Sequence, residues 1–115
     1  MNSLIQTIFK DFTVDGVAIP VKFLHYYGHG EPYIIYQKES MNTALAADNE
    51  IQNHVEYYDF DIYSKGNYNN IVLAVKNKLI ENNFFFEPQR SSGDMYEEDT
   101  EYYHITLNFS YIKGD

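Results

Sequence analysis

The 115-residue sequence predicts an α+β domain, a two-layer sandwich whose mainly antiparallel four-stranded sheet carries two helices on one face, in the order α-β-β-α-β-β. Three observations carry that reading. Two segments, one near the N-terminus and one centred on Val75, repeat apolar residues at helical spacing along a single stripe. Four other segments are aromatic and β-branched runs bounded by turn residues. Along the last of these, alternate positions separate apolar from polar side chains, as a sheet with one core face requires.

The elements follow in order. Leu4, Ile5, Ile8, Phe9 and Phe12 place a helix over residues 3–12, with Ser3 and Gln6 in the form of a capping box and Asp15-Gly16 as its stop. Residues 17–32, punctuated by Pro20, Gly28, Gly30 and Pro32, are expected to be irregular or briefly extended. "YIIYQKE", 33–39, is the first strand. The connection at 40–52, with a helical turn over 43–47, is longer than a tight hairpin needs, and long loops often carry function. The second strand, 54–63, is broken at Gly66-Asn67. Ile71, Val75 and Leu79, widened by Val72, define a helix over 68–82 with Lys76, Asn77, Lys78 and Glu81 toward water. Asn82-Asn83 suits a left-handed cap. "FFFEPQR", 84–90, is the third strand; Pro88 cannot donate a ladder hydrogen bond and marks an edge or a bulge. An acidic, turn-rich loop spans 91–101, and "YYHITLNFSYI", 102–112, is the fourth strand. With no repeat, low-complexity tract or linker, residues 1–115 read as one domain.

Composition narrows the function classes. The net charge of −9, from 17 acidic and 8 basic side chains, argues against ordinary phosphate-backbone binding, which needs clustered Lys and Arg. The absence of cysteine removes disulfide frameworks, thiolate zinc sites and thiol nucleophiles. "MNSLIQTIFKDF" has no continuous apolar stretch of the signal-peptide kind, and "IVLAV" is far too short for a membrane span. The expectation is a soluble, intracellular protein with no membrane partner. Its 12 Tyr and 8 Phe favour half-buried faces or interfaces.

Parity assigns those aromatics. On the fourth strand Tyr103, Ile105, Leu107, Phe109 and Tyr111 fall on the core face, and Tyr102, His104, Thr106, Asn108 and Ser110 on the other, which carries no charged residue. On the second strand Tyr58, Phe60 and Ile62 join the core, while Val55, Tyr57, Asp59, Asp61 and Tyr63 face away. An isolated subunit is then expected to expose Val55, Tyr57, Tyr63 and Tyr102 together. Val55, Tyr57, Asp59, Asp61, Tyr63, Tyr102 and His104 form the candidate oligomer or partner interface, with the two aspartates hydrated or facing a basic neighbour. Tyrosines scattered on a sheet without a partner are the blander alternative.

Chemical motifs do not accumulate into an active site. Asp59-Phe60-Asp61 has the D-x-D form of a metal-binding pair, but enzymes that use it on nucleotide sugars need a domain larger than this chain. His25 and His29 have H-x₃-H spacing, yet Gly28, Gly30 and Pro32 oppose the helix that would align them. Asp94, Glu97, Glu98, Asp99 and Glu101 lack the alternating ligands and central glycine of a calcium loop, so a solvated turn is their default reading. No phosphate-binding glycine loop or nucleophile elbow occurs. The expectation is a protein that is not an enzyme, with no catalytic residue, metal or cofactor.

"VAIPV", "EPYIIYQ", "ADNEIQNHVEYYDFDIYSKGNYNNI", "VKNKLIENNFFF" and "YEEDTEYYHITLNFSY", together spanning roughly residues 16–112, resemble the small tail-terminator, or tail-completion, proteins of long-tailed bacteriophages and prophages of Gram-positive bacteria. The likeness lies in the strand pattern, the YSKG turn and the acidic YEEDT loop. It implies a virion protein of the tail neck, made in the host cytoplasm. Such a protein forms a ring, typically a hexamer, that caps the head-proximal end of the tail tube and joins it to the head's connector proteins. DNA passes through the lumen without specific binding, and an acidic lining at Asp94, Glu97, Glu98, Asp99 and Glu101 repels its phosphates. A ring needs two different matching patches per subunit. The 40–52 connection and the second sheet face are the candidates. The competing reading is an acidic DNA mimic that occupies a basic nucleic-acid-binding protein, opposed by the gathering of acids in one loop. A small hydrolase comes third.

Overall fold

The structure, a computed structural model, describes residues 2–26, 32–39 and 54–113. Helix α1 covers Asn2–Ile8, shorter than the predicted 3–12, and the chain leaves it through a turn in which Asp11 takes a left-handed φ of 55°. The predicted capping box is not made. Ser3 lies inside the helix, where its carbonyl accepts from Thr7 Oγ1 at 2.9 Å, and Gln6 Nε2 instead donates to Tyr36 Oη at 2.9 Å. Phe9 and Phe12 stay buried beyond the helix, their rings edge to face with centroids 5.1 Å apart.

Asp15-Gly16 is a hairpin corner as well as a stop. Strands β1 (Thr13–Val14) and β2 (Val17–Ala18) pair antiparallel across it, with φ of 53° at Asp15 and 80° at Gly16. Two successive left-handed residues match the twist of a two-residue hairpin, which is why Asp-Gly serves there. Strand β3 (Val21–Phe23) follows and pairs parallel with β4 (Tyr33–Lys38). The segment 17–32, expected to be irregular or briefly extended, therefore supplies two short strands, and β1 lies just before it.

Strand β4 pairs antiparallel with β5 (His54–Ser64), and β5 with β8 (Tyr102–Lys113), both in long ladders. Between them helix α2 (Asn69–Glu81) buries Ile71, Val75 and Leu79 as the sequence predicts, and Asn83, at φ 72°, takes the left-handed position after it. Strand β6 (Phe84–Phe86) pairs with the end of β8, and Pro88 opens a 3₁₀ turn, Pro88–Arg90, that terminates it at the sheet edge. The acidic loop contains a further strand, β7 (Met95–Glu97), paired with the start of β8. Where the ladder is interrupted between β6 and β7, the side chains of Ser91 and Ser92 accept the backbone N–H groups of Asn108 and Thr106 at 2.8 and 2.9 Å. The hydroxyls replace strand carbonyls.

The result is a mixed six-stranded sheet in the order β3-β4-β5-β8-β6, with β7 beside β6 on the same flank of β8. The predicted four-stranded sheet and α-β-β-α-β-β order are corrected accordingly. Two- and three-residue strands are too short to display alternation, so their pairing is invisible to periodicity. The α+β class and the two helices hold.

Buried residues of both helices join those of one sheet face, with Ile34 opposite Ile62 and Phe60 opposite Leu107 in the ladders. The core thins along β8: Leu107 and Phe109 are buried, Ile105 and Tyr111 pack partly against it, and Tyr103 does not belong to it. Tyr103, expected in the core, is exposed, and its ring lies 4.9 Å from that of Tyr96. At the core rim the buried Glu56 accepts from Lys38 Nζ at 3.0 Å and from Tyr58 Oη at 2.9 Å, so its charge is paired where water is scarce. Among the described residues no helix is long and apolar enough to cross a membrane.

Candidate interaction surface on the second sheet face

Alternation along β5 and β8 puts Val55, Tyr57, Asp59, Asp61, Tyr63, Tyr102 and His104 on the face away from the helices, as parity predicts. The expectation that Val55, Tyr57, Tyr63 and Tyr102 lie exposed together is corrected. Tyr102 is 7% exposed and the other three are half-buried. Neighbours on the same face account for this. Tyr63 stacks between Tyr33, at 4.7 Å, and the imidazole of His104, at 4.3 Å, both within 11° of parallel. Tyr102 meets Tyr33 edge-on at 5.3 Å, and Lys65 Nζ lies 5.2 Å from its ring centre. Such offset and edge-to-face pairs add about 0.5–1.5 kcal/mol each beyond simple burial.

Toward the other end of the face the layer is polar. Asn108 is fully buried; its Nδ2 donates to Asp59 Oδ1 at 2.7 Å and also to Glu39 Oε2, while its Oδ1 accepts nothing among the described residues. Glu39 is also ion-paired with Arg90, whose guanidinium lies 4.0 Å above the Tyr57 ring. Thr106 Oγ1 donates to Asp61 Oδ1 at 2.6 Å, and His104 Nε2 lies 3.4 Å from the same oxygen. Burial raises the Asp59 carboxyl above its ordinary 3.8; the Asn108 hydrogen bond opposes this, and the charges of Glu39 and Asp61 add to it. Burial, helped by Asp61, pushes the Tyr63 phenol up to about 12.

The acidic residues of the predicted lumen gather on the β7–β8 hairpin. Asp94, Glu98, Asp99 and Glu101 are exposed, and Glu97 is half-buried. Asp94 accepts from the Tyr68 hydroxyl, a hydrogen bond that, after burial, helps raise that phenol. Glu97 accepts from Thr100 Oγ1 at 3.0 Å and comes within 4.0 Å of His104 Nδ1. The two sets read separately from the sequence thus meet at the Glu97–His104 contact. Beside the hairpin, Lys65, Asn67, Tyr68, Asp94 and Tyr103 line an open groove of about 460 Å³.

Asp59 and Asp61 do not form an isolated acid–base pair; each is tied to a hydroxyl or amide on β8. His25 is exposed, and its predicted companion His29 lies outside the described residues, as does the 40–52 connection proposed as an interface. Among the described residues no group of three His, Asp or Glu side chains is placed to hold a metal ion. Sequence reasoning missed Glu39, Arg90 and Asn108 as the polar tie of this face. The available signal was the uncharged stripe Thr106-x-Asn108-x-Ser110, whose members face carboxylates: Ser110 Oγ donates to Glu87 Oε2 at 2.7 Å. Exposed large apolar side chains lie elsewhere: Phe85 and Ile112 at the rim of this face, Phe23 and Leu24 at β3, Met95 and Tyr96 of β7 with Tyr103 of β8 toward the opposite edge, Val17 on β2, and Leu73 and Ile80 on the outer side of α2. No protein-family profile and no curated protein sequence matches this chain.

Proposed function

We propose that this protein is a structural subunit that associates head to tail into a ring on the head-proximal end of a phage tail tube. There it stops tube growth and joins tail to head in the neck of the virion. The observation that carries this reading is the unlikeness of the two sheet edges. One presents Phe23 and Leu24, the other Met95, Tyr96 and Tyr103, all exposed. A head-to-tail ring needs two different surfaces on each subunit, and aromatic and methionine side chains are what interface cores collect. The resemblance in strand pattern supports the same reading and supplies the expected number of six copies.

The acidic hairpin fits a lumen through which DNA passes, since like charge keeps phosphates from adhering. The rim of the second sheet face, at Phe85 and Ile112 beside Val55 and Tyr57, is then available to the tail-tube or connector protein. The action is ordered association without chemical turnover.

Negative-stain imaging of the purified protein, alone and mixed with tail tubes, tests this. Rings of uniform size, or density confined to one tube end, are expected. Dispersed monomers that neither close nor bind tubes would sink the reading. Competition with DNA for a basic nucleic-acid-binding protein would favour the acidic-mimic alternative.

A further inference from the structure

We infer that neighbouring copies join by continuing the β-sheet, β3 of one copy pairing antiparallel with β7 of the next, with Phe23 opposite Tyr96 and Lys22 opposite Glu97. This names the interface of the proposed ring and rests on that reading. Direction is the first argument. Strand β3 runs parallel to β4, and the β4–β5, β5–β8 and β8–β7 pairs are each antiparallel, so β3 and β7 run oppositely. A second copy placed edge to edge in the same orientation brings the two strands together antiparallel.

The backbone groups agree. Ile34 N donates to Pro20 O and Leu24 N to Tyr36 O, which turns the N–H and C=O of Lys22 toward β4 and those of Val21 and Phe23 outward. On the other edge, Ser92 N donates to Thr106 O and Glu87 N to Asn108 O, so even-numbered residues of β8 face the β6–β7 flank. Met95 and Glu97, opposite His104 and Tyr102, then bond inward, and Tyr96 presents its N–H and C=O outward. Among the described residues neither outward row has a strand beside it. Phe23 and Tyr96 can therefore form a mutually hydrogen-bonded pair, the Phe23 carbonyl, which already accepts from His25 N at 2.8 Å, using its second lone pair.

Side chains select the register. Phe23 and Tyr96, 42% and 49% exposed, lie on the same face of the sheet, and pairing covers both. The same register sets Lys22 against Glu97 on the opposite face. A two-residue slip would set Phe23 against Asp94 and Lys22 against Met95, losing both matches. Charge adds complementarity: Lys10 and Lys22 flank the β3 edge with Asp11, whereas Asp94, Glu97 and Glu98 mark the β7 edge. A lysine on an exposed edge discourages indiscriminate strand addition and leaves an acidic strand as the favoured neighbour.

The chain's lack of cysteine makes the test clean. Non-hydrogen-bonded antiparallel pairs bring Cα atoms to about 4.5 Å, within disulfide reach. Within one chain β3 and β7 are four strand spacings apart, roughly 19 Å, so any bond between them joins two copies. Chains carrying Lys22→Cys with Glu97→Cys are oxidised alone and on tail tubes, beside a register control carrying Lys22→Cys with Met95→Cys. The 22–97 bond is expected to form at least about tenfold faster than 22–95, with linked peptides identified by mass spectrometry. In sedimentation, Lys22→Glu is expected to weaken association and the double reversal Lys22→Glu with Glu97→Lys to restore it. Rings or capped tubes without a 22–97 bond would overturn the edge pairing and leave the capping function standing. Linked copies that never bind tubes would support the pairing and overturn the capping. No association under either condition would overturn both.

Discussion

Asn108 and Asp59 stand directly opposite each other on β8 and β5, and the Asn108 amide nitrogen donates to Asp59 Oδ1 at 2.7 Å. That fully buried amide also reaches Glu39, so one neutral side chain holds two carboxylates on the second sheet face. Asn108→Ala is expected to cost about 3 kcal/mol, from lost charge-assisted hydrogen bonds and an unfilled site. Asn108→Asp should cost more near neutral pH, because a third buried carboxylate replaces the donor, and the excess should shrink in acid. Urea unfolding at two pH values checks the order; an Asp variant as stable as the Ala variant at neutral pH would refute it.

Asp59 gives the face a defined pH response. Its raised carboxyl holds a proton more readily folded than unfolded. Stability from this group is therefore greatest below the ordinary value of 3.8, falls as pH rises toward the higher folded value, and stays lost above it. Asp59→Asn should melt higher than the parent at pH 7 and lose that advantage at low pH. A lower melting temperature at pH 7 would mean that Arg90 and Asn108 outweigh burial.

Tyr63 reports the alkaline side. With its phenol pushed up to about 12, the folded state resists ionisation, so stability falls as pH rises above 10. Ultraviolet titration should show one fewer late-ionising phenol in Tyr63→Phe, those of Tyr58 and Tyr68 remaining, and that variant should be less sensitive to alkali. Tyr63→Ala, which also removes the stacks on Tyr33 and His104, should cost about 2–3 kcal/mol at neutral pH.

Glu101 precedes β8 with a φ of 62°, a conformation unfavourable for a side-chain-bearing residue. Glu101→Gly should stabilise by about 0.5–1 kcal/mol, since relieved strain exceeds the added freedom of the unfolded chain. Thermal denaturation decides, and a destabilised variant would show that the exposed carboxylate contributes more than its backbone costs.

The long elements were legible in local pattern alone. The stripe Ile71-Val75-Leu79 needs only helical periodicity, and β5 and β8 are long enough for alternation to divide their faces. Asn83 acted where backbone chemistry alone placed it, as a left-handed cap; Pro88, expected inside an edge strand over 84–90, marked the edge but opens a 3₁₀ turn after the strand has ended at Phe86. Tertiary structure decided what local pattern cannot encode. Strands β3 and β7 exist because neighbours satisfy their backbone groups, and the charge of Glu97 did not prevent its backbone from pairing with Tyr102. Tyr102 is buried and Tyr103 exposed, the reverse of the burial expected on their correctly assigned faces, because aromatic neighbours cover the second face while the core stops short of that end of β8. The tie from Asn108 to Asp59 and Glu39 joins residues 49 and 69 positions apart, a proximity set only when β4, β5 and β8 come together.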